Sequence, residues 1–323
     1  MMRKVQIALV VPCYNESEML PISIPKMVKV LDDLSASSNS SLSSFILLVD
    51  DGSRDTTWEL IVQAVEQYPG CLRGIRLAAN VGHQGALLCG LHQVIGYCDV
   101  AVSIDADLQD DLSAIHLMLE EYRRGAEIVL GVRESREVDT WFKRNTAMLF
   151  YKLMRWMRVD LVENHADFRL MSAKALQNLQ RFPEKNLFLR GLPPLLHRKV
   201  STVFYRRAER KAGVSKYPLR KMLALAWDGI TSFSVIPLRL IALTGSVVFL
   251  LSLFMTLYAL TSHWLGYAIA GWSSIVIPMY LLGGLLMLSL GVVGEYVGKV
   301  FLETKRRPIY IIDEWVGYSC VEK

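Results

Sequence analysis

The sequence predicts an α/β protein with a doubly wound, mostly parallel sheet, followed by a membrane-associated C-terminal part. Short apolar runs, typical of buried strands, alternate with helical segments in the first part of the chain. Acidic and polar clusters follow several of these runs. Hydrophobic residues make up 52% of the 323 residues, and the excess lies after residue 238. A soluble domain joined to membrane segments accounts for this uneven distribution.

The strands and helices can be assigned in order along the chain. The first apolar run, Val5–Val11, is continuous, as expected for a strand buried on both faces of a parallel sheet. Pro21 and Pro25 give the following helix a late or irregular start. The other strands are predicted at Phe45–Val49, Leu72–Leu77, Val100–Ile104 and Ile128–Val132. The helices are predicted at Ser17–Leu34, Thr56–Tyr68, Ala86–Tyr97 and Ser113–Arg124.

Polar clusters stand at the carboxyl end of each predicted strand. In doubly wound sheets, ligands bind at this edge, so these clusters predict one site. They are Tyr14–Glu16, Asp50–Asp51, Asn80–Gln84, Asp105–Gln109 and Arg133.

Asp105 and Asp107 are the strongest candidates for a metal site. Side chains alternate along an extended chain, so both carboxylates can point to the same side. Adjacent carboxylates favour a hard divalent cation, and such ions usually also hold substrate phosphates. The alternative is that Asp107 or Asp110 caps the helix near Ser113–Arg124.

The distribution of charge indicates which partners the protein binds, and the cysteine content indicates whether its thiols are reduced. The net charge is +5, and basic clusters at Arg198–Lys221 and Lys305–Arg307 stand close to the apolar segments. This placement argues for contact with anionic lipid headgroups or phosphate substrates, and against nucleic acid. The five cysteines lack metal-ligand spacing and are interpreted as reduced and structural.

Two uncharged stretches predict a transmembrane hairpin. Leu240–Ser262 has about 23 residues, enough for one span, and a loop near Ser262–Ser274 precedes a second helix from Ile275. The loop lacks Lys and Arg while both flanks are basic, which places the flanks in the cytoplasm and the spans in the cytoplasmic (inner) membrane. The predicted divisions are a catalytic domain (1–220), an interfacial helix (221–237), spans within 238–298 (about 240–262 and 275–297) and a cytoplasmic tail (299–323). Trp141–Met157 is either a further interfacial helix or a solvated helix packed on the domain.

The motifs, taken in series, resemble those of family 2 glycosyltransferases. The closest resemblance is to polyprenyl-phosphate glycosyltransferases, a group with bactoprenol glucosyltransferases and dolichyl-phosphate mannose synthase. It implies a GT-A fold, a Rossmann-like sheet, for the catalytic domain. The motifs are Val10–Glu16, Val49–Asp55, Asn80–Gln84, Asp105–Gln109, Gly131–Arg133, Asp167–Leu170, Ala212–Tyr217, Gly294–Gly298 and Lys305–Pro308.

The resemblance implies roles on the nucleotide-sugar side. Asp105, Asp107 and Gln109 would hold Mg²⁺ or Mn²⁺ on the diphosphate. Asp51, with Asp50 beside it, would accept a hydrogen bond from the uracil N–H. The remaining nucleotide-sugar residues would be Pro12, Tyr14, Glu16, Asn80, Gly82, His83, Ala106, Arg210, Ser215 and Lys216. Each role has an alternative. Asp50 and Asp51 could be helix caps, and Glu16 could be a first-turn helix acid. Arg210, Ser215 and Lys216 could belong to a juxtamembrane basic segment.

The acceptor side needs cations. A lipid phosphate is already anionic at neutral pH, so it needs positioning and charge compensation more than a strong base. Arg133, after the fifth strand, is the first candidate because forked arginine donors match phosphate oxygens. Arg136 and Arg144 follow it, although Arg144 has the alternative of a membrane-surface charge. Asp167 and Arg169 resemble a motif near the sugar, or form a structural salt bridge.

These features, together with the resemblance, predict a metal-dependent hexosyltransferase, and the resemblance implies that transfer inverts the anomeric carbon. The enzyme would move glucose from UDP-glucose onto undecaprenyl phosphate at the cytoplasmic membrane face. The alternatives are an amino or deoxy sugar for the same lipid, a processive polysaccharide synthase, or a non-enzymatic membrane scaffold. Against a synthase, Lys152 stands where that class has Gln before an Arg-Trp pair (Arg155-Trp156), and two spans are few for a translocation pore. Family likeness alone also suggests a homo-oligomer and a downstream flippase.

Overall fold

The computed structural model describes the sheet and the last long helix. The described residues are 5–36, 44–133, 165–182, 184, 189, 191–197, 199–205, 237–238, 240–241, 243–248, 250–251, 254 and 272–317. Several sequence predictions lie outside these residues. They are Arg136, Arg144, Arg210, Ser215, Lys216, the helix at Trp141–Met157, residues 221–236 of the predicted interfacial helix, and much of the first predicted span.

The described chain forms one sheet with helices on both faces. The strands are β1 (Ile7–Cys13), β2 (Phe45–Asp50), β3 (Leu72–Leu77), β4 (Val100–Ser103), β5 (Ile128–Arg133), β6 (His165–Ser172), β7 (Val200–Tyr205) and β8 (Ile312–Val316). The helices are α1 (Leu20–Ala36), α2 (Thr57–Gln67), α3 (His83–Gln93), α4 (Ala114–Arg123), α5 (Ala173–Gln180), α6 (Pro193–Leu196) and α7 (Trp272–Thr304). All five predicted strands are present.

The sheet has eight strands in the order β7-β5-β6-β4-β1-β2-β3-β8. The pairs β1–β2, β1–β4, β2–β3 and β5–β7 are parallel, which confirms the predicted mostly parallel α/β sheet. β6 is antiparallel to both of its neighbours, and β8 is antiparallel to β3. Strands β6, β7 and β8 were not predicted from the sequence.

Alternate residues of the central strands pack on opposite faces of the sheet. On β1, Leu9 and Val11 belong to the core shared with α1, α2 and α4, while Val10 belongs to the core shared with α3 and α5. Leu9, Val10 and Val11 are all fully buried, which explains why the sequence of β1 is a continuous apolar run. Gly90 of α3 lies so close to β1 that a Cβ there would collide with Val10. The sheet therefore forms a rigid base for its carboxyl edge.

The chain returns to the sheet after its last long helix. β8 pairs with β3, and the indole of Trp58, on α2, donates to Glu314 Oε2 of β8 over 2.8 Å. The backbone N–H of Ala78 donates to the Ile311 carbonyl oxygen over 2.9 Å. Residues 312–316, inside the segment assigned as a tail, thus form the edge strand of the catalytic sheet.

The helix α7 exposes many large apolar side chains. It has 33 residues and contains the predicted second span. Leu286, Met287 and Leu290 are each at least 66% exposed. Among the described residues it is the one helix whose length and composition would suffice to cross a membrane, through Leu285–Thr304. Within the predicted first span, residues 240–241, 243–248, 250–251 and 254 are helical.

Candidate active site

The loops after β1 and β2 are tied together by side chains. Asn15 donates its N–H to Ser53 Oγ over 2.9 Å, and its Oδ1 accepts from the Arg54 N–H over 2.9 Å. Asn15 has a φ of 53°, a left-handed conformation that asparagine tolerates. Glu16 donates its N–H to Thr57 Oγ1 over 2.9 Å. The predicted nucleoside loop, Pro12–Glu16, is therefore fixed against the segment that follows β2.

Within this loop, Tyr14 is 42% exposed, whereas Pro12 is buried. Glu16 precedes α1, and its carbonyl oxygen accepts the N–H groups of Met19 and Leu20. The alternative of a first-turn helix acid is wrong, since the first turn of α1 has no acidic residue.

Asp51 holds the loop that follows β3. It is 2% exposed, and its two carboxylate oxygens accept the N–H groups of Val81 and Gly82 over 2.7 and 3.0 Å. The Asn80 amide donates to the Asp51 carbonyl oxygen over 3.1 Å. Gly52 has a φ of +64°, and a Cβ there would lie 2.9 Å from the Asn80 nitrogen. Position 52 therefore requires glycine for two reasons, namely its positive φ and the close approach of the loop at Asn80.

Asp50 is in a different environment from Asp51. It is fully buried; Oδ1 accepts the Ser53 N–H over 3.2 Å, and Oδ2 has no partner among the described residues. Burial raises the pKa of Asp50, and burial also raises the pKa of Asp51 despite its two backbone hydrogen bonds. Helix α2 begins at Thr57, whose N–H donates to Asp55 instead. Neither Asp50 nor Asp51 caps it.

The Asp105–Gln109 segment is a turn. β4 ends at Ser103, and the Leu108 N–H donates to the Asp105 carbonyl oxygen over 3.3 Å. Placing Asp105 and Asp107 by strand alternation was therefore wrong. Leu108 has a φ of 49°, which is strained for a leucine, and its side chain packs against the core.

The same turn fixes the predicted metal ligands. The N–H of Gln109, which is 7% exposed, donates to Asp107 Oδ1 over 3.2 Å. At the start of helix α4, the Ser113 N–H donates to the Asp111 carboxylate, and not to Asp107 or Asp110. The helix-cap alternative is therefore wrong as well.

His83 lies close to two other predicted site residues, Asp105 and Asp167. It is the first residue of α3, and its Nε2 lies 3.6 Å from Asp105 Oδ1 and 3.6 Å from Asp167 Oδ2. Burial raises the pKa of Asp105 to about 6; His83 opposes this rise, while Asp110, Asp167 and Asp107 add to it. The site thus concentrates negative charge at Asp105.

Asp167 and Arg169 form a buried ion pair on β6. Arg169 Nη2 donates to Asp167 Oδ1 over 2.8 Å, and Nη1 donates to the Leu189 carbonyl oxygen over 2.6 Å. The structural salt bridge is therefore present. Asp167 still reaches the site, because its second oxygen faces His83.

A metal ion would have oxygen ligands here. Among the described residues, no group of three or more His, Cys, Asp or Glu side chains could by itself hold a metal ion. Mg²⁺ is usually bound by one or two carboxylates together with substrate phosphates, so a complete protein cage is not required. The charge concentrated at Asp105, with Asp107 and Gln109 in the same turn, fits such an ion.

Arg133 ends β5 and is held by two residues that the sequence did not identify. Its Nε donates to the Tyr205 hydroxyl over 3.3 Å, and its Nη2 lies 3.7 Å from Asp110 Oδ1. Tyr205 donates to the same oxygen of Asp110 over 2.5 Å. Burial, and then Asp110, raise the pKa of Tyr205. The pairing of Arg133 with Tyr205 across β5 and β7 could be found only once β7 was known.

The mostly parallel sheet, with acidic side chains and Arg133 at its carboxyl edge, agrees with the GT-A arrangement that the sequence resemblance implied. The model of glycosyl transferase family 2 matches residues 8–180, and the chain belongs to this family. It is therefore an enzyme that transfers a sugar.

Relatives match nearly the whole chain. An uncharacterized glycosyltransferase of Bacillus subtilis, YkoT, is 48% identical over 95% of this chain and 91% of its own length. The prophage bactoprenol glucosyl transferase homolog of Escherichia coli is 38% identical over 95% of this chain and 98% of its own. The crystal structure of mannosyl-3-phosphoglycerate synthase from Rubrobacter xylanophilus has 15% identity and a TM-score of 0.45, with 75% of each chain covered.

Proposed function

We propose that this enzyme transfers glucose from UDP-glucose to undecaprenyl phosphate at the cytoplasmic face of the membrane. The observation that carries the proposal is the near full-length similarity to the bactoprenol glucosyl transferase homolog, which extends through the apolar C-terminal part. The charges of the site support it, since the carboxylates around Asp105 suit a metal–diphosphate and Arg133 suits a phosphate.

On the donor side, the loop over Asn80–His83 would line the nucleotide. Asp51 fixes the backbone of this loop, and Tyr14 is exposed beside the segment after β2. The remaining lone pairs of the Asp51 carboxylate, or those of Asp50, would accept the uracil N–H. Arg210, Ser215 and Lys216 would close over the diphosphate.

Asp105, Asp107 and Gln109 would hold Mg²⁺ or Mn²⁺. The bound ion would neutralise charge that develops on the leaving diphosphate. Asp167, held by Arg169, faces the same nitrogen of His83 as Asp105 does and would approach the sugar.

On the acceptor side, Arg133 would bind the lipid phosphate, assisted by Arg136 and Arg144. An oxygen of that phosphate attacks the anomeric carbon of glucose as the bond from this carbon to the diphosphate oxygen breaks. UDP leaves with the bonding electron pair, and inversion at carbon follows from a single displacement. No strong base is needed, because the phosphate oxygen is already ionised at neutral pH.

The C-terminal strand supports an even number of membrane crossings. β1–β7 precede the predicted spans and β8 follows them, yet all eight strands belong to one sheet. A bilayer cannot divide a sheet, so the chain between β7 and β8 must return to its starting side. Two spans, at 240–262 and 275–297, meet this condition, whereas one span at α7 alone does not.

The first experiment offers UDP-, GDP- and dTDP-sugars with undecaprenyl phosphate in detergent, with and without Mg²⁺ or Mn²⁺. We expect transfer of glucose from UDP-glucose to the lipid, and loss of transfer when EDTA removes the ion. Transfer to a soluble glycan without transfer to the lipid would refute the proposal.

Paired variants test the metal assignment in the same assay. Asp107→Ala should lower the rate on the order of 100-fold or more, because stabilisation of the leaving group is lost. Asp111→Asn, in the same turn region but outside the site, should leave the rate within about twofold, since Asn also accepts the Ser113 N–H. A normal rate for Asp107→Ala would show that the metal is held elsewhere.

A further inference from the structure

We propose that Tyr205 and Asp110 are positioning residues that hold Arg133 for the acceptor phosphate. The inference rests on the proposed function, because Arg133 serves there as the phosphate ligand. Tyr205 and Asp110 would act through Arg133, without contact to either substrate.

The three side chains form a closed triangle of contacts. Tyr205 donates its hydroxyl proton to Asp110 Oδ1, and the same hydroxyl oxygen accepts the Nε–H of Arg133. Arg133 Nη2 lies 3.7 Å from that Asp110 oxygen. The tyrosine hydroxyl is thus both donor and acceptor, so its position depends on both charged neighbours.

Burial excludes direct contact of the two supporting residues with a lipid phosphate. Tyr205 and Asp110 are each 3% exposed, whereas the Arg133 side chain is 30% exposed. Only the arginine of this triangle therefore has substantial access to a ligand from outside.

Packing fixes the tyrosine ring. Phe168 of β6 packs edge-on against it, with ring centroids 5.2 Å apart. Gly131 leaves no spare room, since a Cβ there would lie 2.8 Å from the Phe168 ring and 3.0 Å from the Tyr205 ring. A ring held this firmly keeps its hydroxyl at one place, which is what a positioning group requires.

The contacts leave part of the guanidinium for a ligand. Arginine has five N–H donors in a planar fork. The Tyr205 hydroxyl accepts the Nε–H, and Asp110 lies near Nη2, while Nη1 makes no hydrogen bond or ion pair with the described residues. The carboxylate also offsets the arginine charge before the phosphate arrives, so the arginine stays ordered in the free enzyme.

Tyr205→Phe is the direct test, with undecaprenyl phosphate as the varied substrate. The ring and its contact with Phe168 are retained, and only the hydroxyl is lost. We expect the KM for the lipid to rise about tenfold, the size of one lost hydrogen bond to a charged group. The KM for UDP-glucose should stay near that of the wild type, whereas the melting temperature should fall, because the buried Asp110 carboxylate loses a hydrogen-bond donor. A rise of both KM values together would indicate a merely structural role and overturn the proposal.

Tyr310→Phe is the matched control. Its hydroxyl also contacts a ring residue, His92, over 3.1 Å, but it lies beside α3, away from Arg133. The KM for the lipid should not change in this variant.

A double-mutant cycle tests whether Tyr205 acts through Arg133. In an Arg133→Ala background, Tyr205→Phe should change the lipid KM by less than about twofold, because coupled residues are non-additive. An undiminished effect there would mean that Tyr205 acts independently, which contradicts the proposal. If Tyr205→Phe does not fold, Asp110→Asn serves instead, with the same selective rise expected. Wild-type enzyme that transfers nothing to the lipid would instead refute the proposed function.

Discussion

His83 Nε2 and Asp105 Oδ1 lie 3.6 Å apart, between the first turn of α3 and the turn after β4. The same nitrogen is equally close to Asp167, so one imidazole faces two carboxylates. The contact brings together residues from the loops after β3 and β4, which supports a single site. It also links the protonation of Asp105 to its neighbours.

Metal affinity should fall in acid, with a midpoint near the pKa of Asp105. This pKa is raised to about 6, so the carboxylate begins to take up a proton as the pH drops through that value. A protonated carboxyl is a poor metal ligand, and the Kd for Mn²⁺ should then rise about tenfold per pH unit below 6. Calorimetric titrations between pH 5 and pH 8 measure this. Constant affinity across that range would show that Asp105 is not a ligand.

The pH dependence of folding stability without metal has the opposite sign to that of metal affinity. The folded pKa of Asp105 lies above the unfolded value, so the folded protein binds more protons between pH 4 and pH 6. Without metal, Asp105 therefore favours the folded state most at acid pH, and this contribution is lost as the pH rises through 6. Added Mn²⁺ at pH 7 should raise the melting temperature, and Asp105→Asn should abolish that rise.

His83→Ala should move the acid midpoint of Mn²⁺ binding to higher pH. His83 lowers the pKa of Asp105, so its removal leaves burial and the neighbouring acids unopposed. The same titration measures the shift. His116→Ala, on the exposed face of α4, is the control and should not move the midpoint. A midpoint unchanged in His83→Ala would mean that the imidazole is uncharged in this pH range.

Asp51→Asn and Asp50→Asn should have different effects on stability. An asparagine at 51 can accept only one of the N–H groups of Val81 and Gly82, and the other loses its partner, at a cost of about 1–3 kcal/mol. Asp50 has one oxygen without a partner among the described residues, and its raised pKa shows that its charge is disfavoured. Its neutral isostere should leave the free energy of unfolding unchanged or raise it. Chemical denaturation at pH 7 measures both variants.

The uracil contact can be located with the same pair. The KM for UDP-glucose should rise more in Asp51→Asn, because the Asn80–His83 loop also loses its anchor. If only Asp50→Asn raised this KM while stability stayed normal, Asp50 would be the uracil acceptor.

The sequence predicted five strands, of which β1, β2 and β4 are buried along their whole length, while β3 and β5 also carry half-buried arginines. Continuous apolar runs such as those of β1 and β2 have no other stable position in a sheet of this kind. The strands it did not predict have mixed patterns: β6 carries Asp167 and Arg169, and β8 contains Asp313 and Glu314. Their pairing depends on partners distant in the chain, which periodicity cannot show.

The sequence predicted which strand ends carry candidate site residues, but not the contacts between those residues. Strand ends placed Asp105, Asp51 and Arg133 at one edge because the sheet is parallel. Two features follow from tertiary packing and cannot be predicted from the local sequence. They are the left-handed conformation of Leu108 and the contact between Arg133 and Tyr205. Asp110 was considered only as a helix cap, although it is a charge partner of Arg133.

Glu314→Ala should destabilise the catalytic sheet. Glu314 accepts the indole N–H of Trp58, which is 6% exposed, so truncation leaves a buried donor unpaired at a cost of about 1–3 kcal/mol. The ion pair with Arg76 spans 3.8 Å between half-exposed groups and adds little. Asp313→Ala, the adjacent exposed acid, is the control. Equal melting temperatures for both variants would mean that the Trp58–Glu314 hydrogen bond does not stabilise the domain.

The pairing of β8 with β3 makes a prediction about topology. Asp313 lies on β8 and must share a compartment with the N-terminal sheet, while His263, in the predicted loop between spans, should lie across the membrane. Single cysteines at these positions, Asp313→Cys and His263→Cys, are made after Cys71 and Cys320 are replaced by serine. Cys13, Cys89 and Cys98 can stay, because they are buried, and burial raises the pKa of the Cys89 and Cys98 thiols to about 12.

A membrane-impermeant maleimide applied to intact cells should modify His263→Cys, and should modify Asp313→Cys only after permeabilisation. Modification of both in intact cells would contradict the cytoplasmic placement of the sheet. Modification of neither before permeabilisation, and of both after it, would leave the sheet in the cytoplasm but remove the hairpin, because residue 263 would then never cross the bilayer. The two positions thus separate the location of the catalytic domain from the number of spans, since β8 fixes the first and the loop fixes the second.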